Sequence, residues 1–387
     1  MSLCVWKGGN TNTTQQVTTA TVGGTLAGQT FTISAKHPSG IGSAVAIASF
    51  ADTDTMVGTV ATALAAAWNA SNHAYATPVS AAAVAGVVTF TSDLPGIPFV
   101  ITLNTPGGST TFVLATTTAN YGPNDYSDPS NWVSGAVPTG SDNVRISTNN
   151  GQSFAILYGL AQSGVAINAF TRCKEHTANV GWIGAPLTID PDVFTWDGGG
   201  IGHVDIGSAN IPVLIVGTGS GVPYGLSIIG SNITTTQVDG GVVAIAYAQG
   251  ETATIGTLLV NQGSTVIVGS GASITNIKVC GGTLLWRGGQ TLAVLDSDYG
   301  NITLEGTATI TALTNAGAKI VILKVGAITT GNFADGLTDC TMSKAGFTIG
   351  TATGINRALS RNDSVTITTN NLKGSIGLGA SSSGALK

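Results

Sequence analysis

The sequence has little charge, no long apolar run and only four cysteines. It contains 14 Lys plus Arg and 19 Asp plus Glu, so that 9% of its 387 residues are charged, against about 25% in ordinary globular domains. A formal net charge of -5 offers no basic surface to a phosphate backbone, which predicts no nucleic-acid partner. With 43% hydrophobic residues, the chain has enough apolar material to fold rather than stay disordered.

Three further absences exclude other classes of protein. The most apolar run, at 211–216, is too short to span a membrane, so no membrane partner is expected. The first residues lack a basic segment followed by an apolar one, which predicts no secretory signal and folding in a cytoplasm. The four cysteines are too far apart for zinc spacing, so we expect reduced, mostly buried thiols, no metal and no cofactor. They are Cys4, Cys173, Cys280 and Cys340.

What the chain does have is 54 glycines and an internal repeat. From Thr254 onward an apolar anchor recurs at intervals of 19, 18, 18 and 18 residues. A second apolar residue follows each of the first four anchors by three positions, and the fifth copy has Gly331 there. A period of this length is typical of a solenoid. The anchors are Ile255, Ile274, Leu292, Ile310 and Ile328.

Within each repeat, apolar residues at alternate positions predict short half-buried strands, and the glycines predict corners. We therefore expect a mainly β protein, a single-chain parallel β-helix whose coils stack about 4.8 Å apart. An 18-residue coil also fits a left-handed hexapeptide helix, but no six-residue apolar motif recurs, so a right-handed coil is favoured. The predicted body covers 120–344, with regular coils at 254–344. C-terminal strands and a flexible tail are predicted at 345–387.

Residues 13–119 have a different pattern, that of a small α+β domain. A helix is predicted at about 52–69, with Val57, Val60, Leu64 and Trp68 on one face and Asp52-Thr53 as its N-cap. Alternating apolar residues and turn signals predict the strands of this domain. They are placed at 15–22, 29–34, 87–91, 99–103 and 111–115.

A segment after this domain resembles the opening of bacterial β-solenoid proteins, including extracellular repeat proteins and phage head or tail proteins. It reads Asp128-Pro-Ser-Asn-Trp132-Val-Ser-Gly-Ala-Val-Pro138, followed by Asp142-Asn-Val-Arg-Ile146. The tryptophan strand that opens this pattern is found instead around Trp6. The resemblance implies that residues 1–12 and 126–146 form one cap, with the α+β domain inserted between its parts. Trp6, Trp132 and Pro138 are expected to cover the open end of the helix.

The inserted domain itself resembles small domains of phage virion proteins, through Val-Ala-x-x-Leu-Ala-x-Ala-Trp-Asn and Leu-Pro-Gly-Ile-Pro-Phe. The resemblance carries no catalytic residue. It implies a non-enzymatic structural protein of a bacteriophage or prophage particle, assembled in the host cytoplasm and located in the virion. A capsid auxiliary or decoration (cement) protein on the head is the favoured role. Its partners would be the major capsid protein or other virion proteins and further copies of itself, for example in a trimer.

Two other functions stay open. A tail fibre or tailspike that binds a receptor and cleaves glycans would need carboxylates on one face of neighbouring coils. The weak candidates for such a site are Asp190, Asp192, Asp197, His203 and Asp205. Turn formation is the competing and favoured explanation for these acids. The third possibility is a surface adhesin exported by a route without a recognisable signal.

Two other sets of residues resemble functional sites. Cys173 followed by His176 resembles a cysteine thiol activated by a neighbouring histidine. No third group orients the histidine, so a polar loop is favoured. Trp182, Trp196 and Trp286 are candidates for stacking on sugars. Because Trp286 falls in register with Ile267 and Leu304, packing is favoured for it.

Overall fold

A parallel β-solenoid of about nine turns carries a separate small domain near its N-terminus, as the computed structural model of the chain shows. The predicted fold class, a mainly β parallel solenoid with an inserted α+β domain, is therefore confirmed. In the described part of the chain no helix is long and apolar enough to cross a membrane. The structure describes residues 2–24, 26, 28–39, 43–51, 53, 56–104, 111–182, 184–197, 200–207, 213–216, 226–355, 358–362 and 364–374, with 213–216 and 231 by their backbone alone.

The elements in chain order fall into three groups. The first cap strand and the small domain contain β1 (Leu3–Trp6), β2 (Val17–Gly23), β3 (Thr30–Lys36), β4 (Val45–Ala51), α1 (Val57–Asn69), β5 (Val79–Val84), β6 (Val87–Ser92), β7 (Val100–Asn104) and β8 (Thr111–Thr118). The cap and the first turns contain a 3-10 helix (Pro129–Asn131), β9 (Asn143–Ile146), β10 (Ala161–Arg172), β11 (Leu187–Trp196), β12 (Gly202–Asp205), β13 (Val213–Val216), β14 (Leu226–Val238) and β15 (Gly241–Ile245). The remaining turns contain β16 (Ala253–Asn261), β17 (Ser264–Val268), β18 (Ala272–Trp286), β19 (Leu292–Leu304), β20 (Thr309–Ile322), β21 (Ala327–Cys340), β22 (Thr348–Ile355), β23 (Leu359–Arg361) and β24 (Thr366–Lys373).

The five predicted anchors lie in one buried interior row. Ile255 pairs with Ile274, and Ile310 pairs with both Leu292 and Ile328, always between parallel strands. Because the strands are parallel and in register, equivalent side chains fall one above another inside the stack. The row extends beyond the anchors in both directions, and among the described residues it contains Ile233, Ile255, Ile274, Leu292, Ile310, Ile328, Ile349 and Ile367.

The apolar residues three positions after the anchors form a second interior row, and Gly331 interrupts it. In this second row Gly331 pairs with Leu313 of the preceding turn. The ring of Phe333 occupies the space that a side chain at Gly331 would take: a Cβ added there would lie 2.6 Å from Phe333 Cζ. Phe333 is itself fully buried. A large residue two positions on therefore compensates for the missing side chain, and the interior stays filled.

The stack also continues beyond residue 344. Strand β22 pairs in parallel with β21, and β24 pairs in parallel with β22. The last of the C-terminal strands expected within 345–387 is β24, which runs from Thr366 to Lys373. The flexible tail expected at the end of this range lies outside the described residues.

The small domain consists of a four-stranded sheet in the order β5-β6-β2-β8 and a three-stranded sheet in the order β4-β3-β7, both antiparallel. Helix α1 buries Val60, Leu64 and Trp68, as its periodicity predicts, while Val57 of the same face is only partly buried against the core. The N-cap prediction was wrong: the helix begins after Met56, which makes no capping side-chain bond. Strands β4 and β5 were not predicted, because their alanine-rich sequences carry little strand signal.

Candidate functional site at the capped end of the solenoid

An aromatic cluster closes the N-terminal end of the solenoid. The ring centroids of Trp6 and Trp132 are 5.3 Å apart, and Tyr126 lies 4.8 Å from Trp132. Both indole nitrogens donate to backbone oxygens, Trp6 Nε1 to Phe154 O at 3.1 Å and Trp132 Nε1 to Tyr126 O at 2.8 Å. Pro138 is also buried. Because these side chains cover the interior of the first turn and their polar atoms are paired, the end of the stack is not an open strand edge.

The small domain is inserted between the two parts of this cap. Strand β1 pairs in parallel with β9, Leu3 with Asn143 and Trp6 with Ile146. Two linkers therefore connect the domain to the solenoid, and they pair with each other through Thr14 N to Tyr121 O at 2.9 Å. The entry and exit points of the domain thus lie side by side at the capped end.

A third contact joins the domain to the solenoid. The His37 ring of the domain lies edge-on to Trp182 at 5.5 Å, and Tyr75 lies 6.1 Å from His37. Trp182 also packs on the solenoid core and donates from Nε1 to Leu157 O at 2.9 Å. Since one part of the Trp182 ring meets the core and another meets His37, this tryptophan connects the domain to the body.

The domain presents an exposed strand at one edge of its four-stranded sheet. Strand β8 ends the order β5-β6-β2-β8, so among the described strands it pairs only with β2. Seven of its eight residues are exposed, among them Val113 at 57% and Leu114 at 37%. An uncharged edge strand with exposed apolar side chains and unpaired backbone groups is suited to contact another protein.

The predicted glycan-site acids do not share one face. Asp190 and Asp205 meet at one corner of neighbouring turns, because Thr188 pairs with Asp205. Asp190 Oδ2 accepts from Gly164 N at 2.7 Å, and Asp205 Oδ1 accepts from Gly207 N at 2.9 Å. The bond of Asp205, to an amide two residues on, is that of a turn-forming aspartate. The bond of Asp190 instead joins two neighbouring turns of the solenoid.

The other members of that set lie elsewhere. Asp197 directly follows the end of β11, seven residues after Asp190. Its backbone amide donates to Arg172 O at 2.9 Å. Asp192 is exposed, while His203 is 8% exposed and burial lowers its pKa. The structure thus brings together two carboxylates, both already engaged by backbone amides. Glycan binding by these residues stays a prediction.

Two of the three candidate sugar-stacking tryptophans face the interior. Trp196 is 1% exposed and Trp286 is 2% exposed, so neither offers a ring to a ligand. Trp286 pairs with Leu304, as expected, but its other partner is Val268 rather than Ile267. The one-residue error matters because successive residues of a strand point to opposite faces.

The suspected thiol site is also absent. Cys173 Sγ accepts from Arg145 Nε at 3.0 Å, whereas the ring of His176 is buried and its Nε2 donates to Phe154 O at 3.1 Å. All four cysteines are free, and burial raises the pKa of the Cys340 thiol to about 12. Among the residues the structure describes, no three His, Cys, Asp or Glu side chains are grouped so that they could hold a metal ion.

Sequence reasoning missed a group of buried polar residues near the cap. Arg172 and His176 are both 0% exposed, and they adjoin Trp196 and Asp197. An arginine at the end of a strand normally predicts an exposed side chain. The signal that could have revealed it is positional: Arg172 occupies a column that continues through Val238, Val260 and Val279.

No family model matches the chain, and no curated protein or solved structure is detectably similar to it.

Proposed function

We propose that the chain is a non-enzymatic structural protein of a bacteriophage particle, and specifically a decoration protein on the capsid. The proposal rests on the sequence resemblance of residues 1–146 to virion proteins and on one structural observation. That observation is the placement of the small domain at the capped end of the solenoid, between β1 and β9. In this arrangement the solenoid acts as a spacer and the domain as the binding element.

The physical properties of the two parts support this division of roles. The body has a continuous apolar core from the cap to the last turn, and a stack of hydrogen-bonded coils resists local opening. The domain has its own core and the exposed strand β8. With few charges on the chain, binding would depend on hydrogen bonds and apolar contact rather than on ion pairs. The proposed partners are the major capsid protein, other virion proteins and further copies of this chain.

A second candidate is a receptor-binding tail fibre or tailspike that cleaves glycans. The observation that favours it is the corner shared by Asp190 and Asp205 on neighbouring turns. Against it, both carboxylates accept backbone hydrogen bonds there. A general acid and a nucleophile or base would instead have to face the substrate.

Copy number in purified particles separates the head from the tail. Quantitative mass spectrometry is expected to find the chain in numbers comparable to the major capsid protein, as a lattice of head sites requires. A handful of copies per particle would place it in the tail, and no copies would overturn the proposal.

A domain deletion tests which part binds. Residues 15–120 can be removed and the ends joined, because Thr14 and Tyr121 already lie side by side. Particles lacking the protein should bind the full chain but not the deletion variant, provided that circular dichroism shows intact β-structure.

Incubation of the full chain with host capsular glycans, with an Asp190→Asn, Asp205→Asn variant as control, should release no oligosaccharide. Release that the double variant abolishes would instead support the tailspike.

A further inference from the structure

One interior column of the solenoid contains an arginine. Along this column Arg172 pairs with Ile146 on one side and Trp196 on the other, while later turns have Val238, Val260 and Val279. Arg172 is 0% exposed. A cationic side chain thus lies among apolar neighbours, where an unpaired charge is strongly disfavoured.

The contacts of this guanidinium account for only part of its hydrogen-bonding capacity. Its Cζ lies 4.4 Å from the centroid of the Trp196 ring, a cation–π contact. Nη2 donates to Ala178 O at 3.1 Å, whereas Nε and Nη1 have no hydrogen-bond partner within the described chain. Burial lowers the pKa of Arg172 to about 10, so that the group is still charged at neutral pH.

Three neighbours of Arg172 also have a buried polar atom without a partner. We call Arg172, His176, Trp196 and Asp197 the polar cluster. It contains five of the eight buried side-chain polar atoms that lack a partner in the described residues. Asp197 N donates to Arg172 O at 2.9 Å, and the charge of Arg172 acts on His176, so these residues are spatial neighbours. The five atoms are Arg172 Nε and Nη1, His176 Nδ1, Trp196 Nε1 and Asp197 Oδ1.

The chain packs closely around this cluster. A Cβ added at Gly200 would collide with Arg172 Nη2 and with the carbonyl oxygens of Thr177 and Ala178. Glycine at this position therefore lets the backbone pass directly beside the guanidinium. The loop 173–180 and Gly200 therefore lie directly against the polar cluster.

The unpartnered atoms include both donors and acceptors. Arg172 and Trp196 offer N–H donors, and Asp197 Oδ1 is an acceptor. His176 Nε2 donates to a carbonyl, which fixes the tautomer and leaves Nδ1 as a second acceptor. Arg172 and Asp197 do not form a direct ion pair within 4.0 Å, although the carboxylate acts electrostatically on the arginine.

We propose that the polar cluster is an internal binding site for ordered water, which bridges Arg172 to Asp197 and His176. Water both accepts and donates, so it satisfies the N–H groups of Arg172 and the two acceptors together. A halide accepts but cannot donate, and Asp197 would repel it. A metal cation would be repelled by Arg172. This mixed set of donors and acceptors therefore selects water over an ion.

A crystal structure of the full chain, at a resolution that shows single waters, tests the proposal directly. We expect a water within hydrogen-bond distance of Arg172 Nε or Nη1 and of Asp197 Oδ1. Two outcomes would overturn the proposal. One is direct contact between the two side chains with no water between them, and the other is an anomalous bromide peak at the site in a bromide-soaked crystal.

A double-mutant cycle supplies an independent solution test. Arg172→Met and Asp197→Ala each remove one side of the bridge, so the double variant should lose clearly less stability than the sum of the single variants. The control cycle uses Arg287→Met and Glu305→Ala, a surface pair at 2.8 Å, where coupling should be weak. Additive losses in the Arg172–Asp197 cycle would contradict the proposal. Should a variant fail to fold, the crystallographic test on the unchanged protein still decides.

Discussion

The first turns of the solenoid and the later ones fill the same interior column in different ways. In the first turns the column passes through Ile146, Arg172, Trp196 and Val216, at intervals of 26, 24 and 20 residues. In the later turns the intervals are 19, 18, 18 and 18 residues, and the column contains Val260, Val279, Ser297, Asn315 and Phe333. The column is therefore continuous in both regions, but only the later turns keep its spacing nearly constant.

The interior of the first turns is correspondingly aromatic. The rings of Phe170 and Phe194 stack at 5.3 Å with an interplanar angle of 5°, and Trp196 lies 6.0 Å from Phe194. Later turns contain mostly isoleucine, leucine and valine, with single aromatic residues at Trp286, Phe333 and Phe347. Stacked rings are thus a feature of the first turns.

Buried polar groups also differ between the two regions. In the later turns Asn315 Nδ2 donates to Thr338 Oγ1 and to Ala318 O, both at 3.0 Å, and Asn315 Oδ1 accepts from Ala318 N. In the first turns the polar cluster leaves five polar atoms without protein partners. The comparison shows that regular coils can bury a fully paired asparagine, whereas the irregular coils near the cap enclose an incompletely paired charge.

The largest effect is expected at the cap. Trp132→Ala removes a fully buried ring and should lower the free energy of unfolding by about 3–5 kcal/mol. Val133→Ala, at a neighbouring residue that is 65% exposed, is the control and should change little. Urea unfolding of both variants measures the difference. Equal, small losses would mean that the cap does not hold the first turns.

In the regular region, Leu295→Ala should cost about 2–5 kcal/mol of unfolding free energy. Leu295 is fully buried between Ile277 and Leu313, while its neighbour Val294 is only half-buried. Val294→Ala is therefore the matched control, with a smaller expected loss in the same urea titration. A Val294→Ala loss as large as that of Leu295→Ala would contradict the assigned register.

The first turns should be specifically sensitive to acid. Burial, with the nearby Arg172 charge, lowers the pKa of His176 from 6.5 to about 4. Between these pH values the unfolded chain binds a proton that the folded chain does not. The free energy of unfolding should therefore fall by about 3 kcal/mol as the pH drops through this window.

Unfolding titrations at several pH values check this dependence. His176→Gln should flatten it, because glutamine does not titrate. Lys174→Gln, which changes an exposed residue of the same loop, should keep it. An unchanged pH dependence in His176→Gln would assign the acid sensitivity to another group.

A smaller effect is expected at the break in the repeat. Gly331→Leu restores the pattern of the second row but collides with Phe333, and overpacking of this kind costs about 1–3 kcal/mol. Adding Phe333→Val should recover most of that loss in thermal unfolding. A double variant that is no more stable than Gly331→Leu alone would show that the two positions do not compensate each other.

The smallest effect is expected for Asp190→Asn. The amide oxygen can still accept from Gly164 N, so the loss of stability should stay below about 1 kcal/mol. Asp190→Leu, which cannot accept, is the contrasting variant and should lose more. Equal losses in the two variants would show that the hydrogen bond from Gly164 to Asp190 does not stabilise the protein.

Prediction from the sequence succeeded where the turns have equal length. The five anchors and the apolar face of α1 follow from periodicity alone. Prediction failed where a local signal was weak or misleading, as at the alanine-rich strands β4 and β5 and at the start of α1. Arg172 was missed because burial of a charge depends on which loop folds over it, and loops leave no period in the sequence.

The sequence by itself determined a stacked parallel coil, because a fixed spacing of apolar residues can be buried in only a few ways. It also marked the two separated parts of the cap through their tryptophans. Only the tertiary structure decided that Trp182 joins the domain to the body and that Asp190 bonds to a neighbouring turn of the solenoid while Asp205 bonds within its own. The reason is physical: periodicity fixes which residues share a row, whereas contacts between loops from distant turns depend on distances that exist only after the chain has folded.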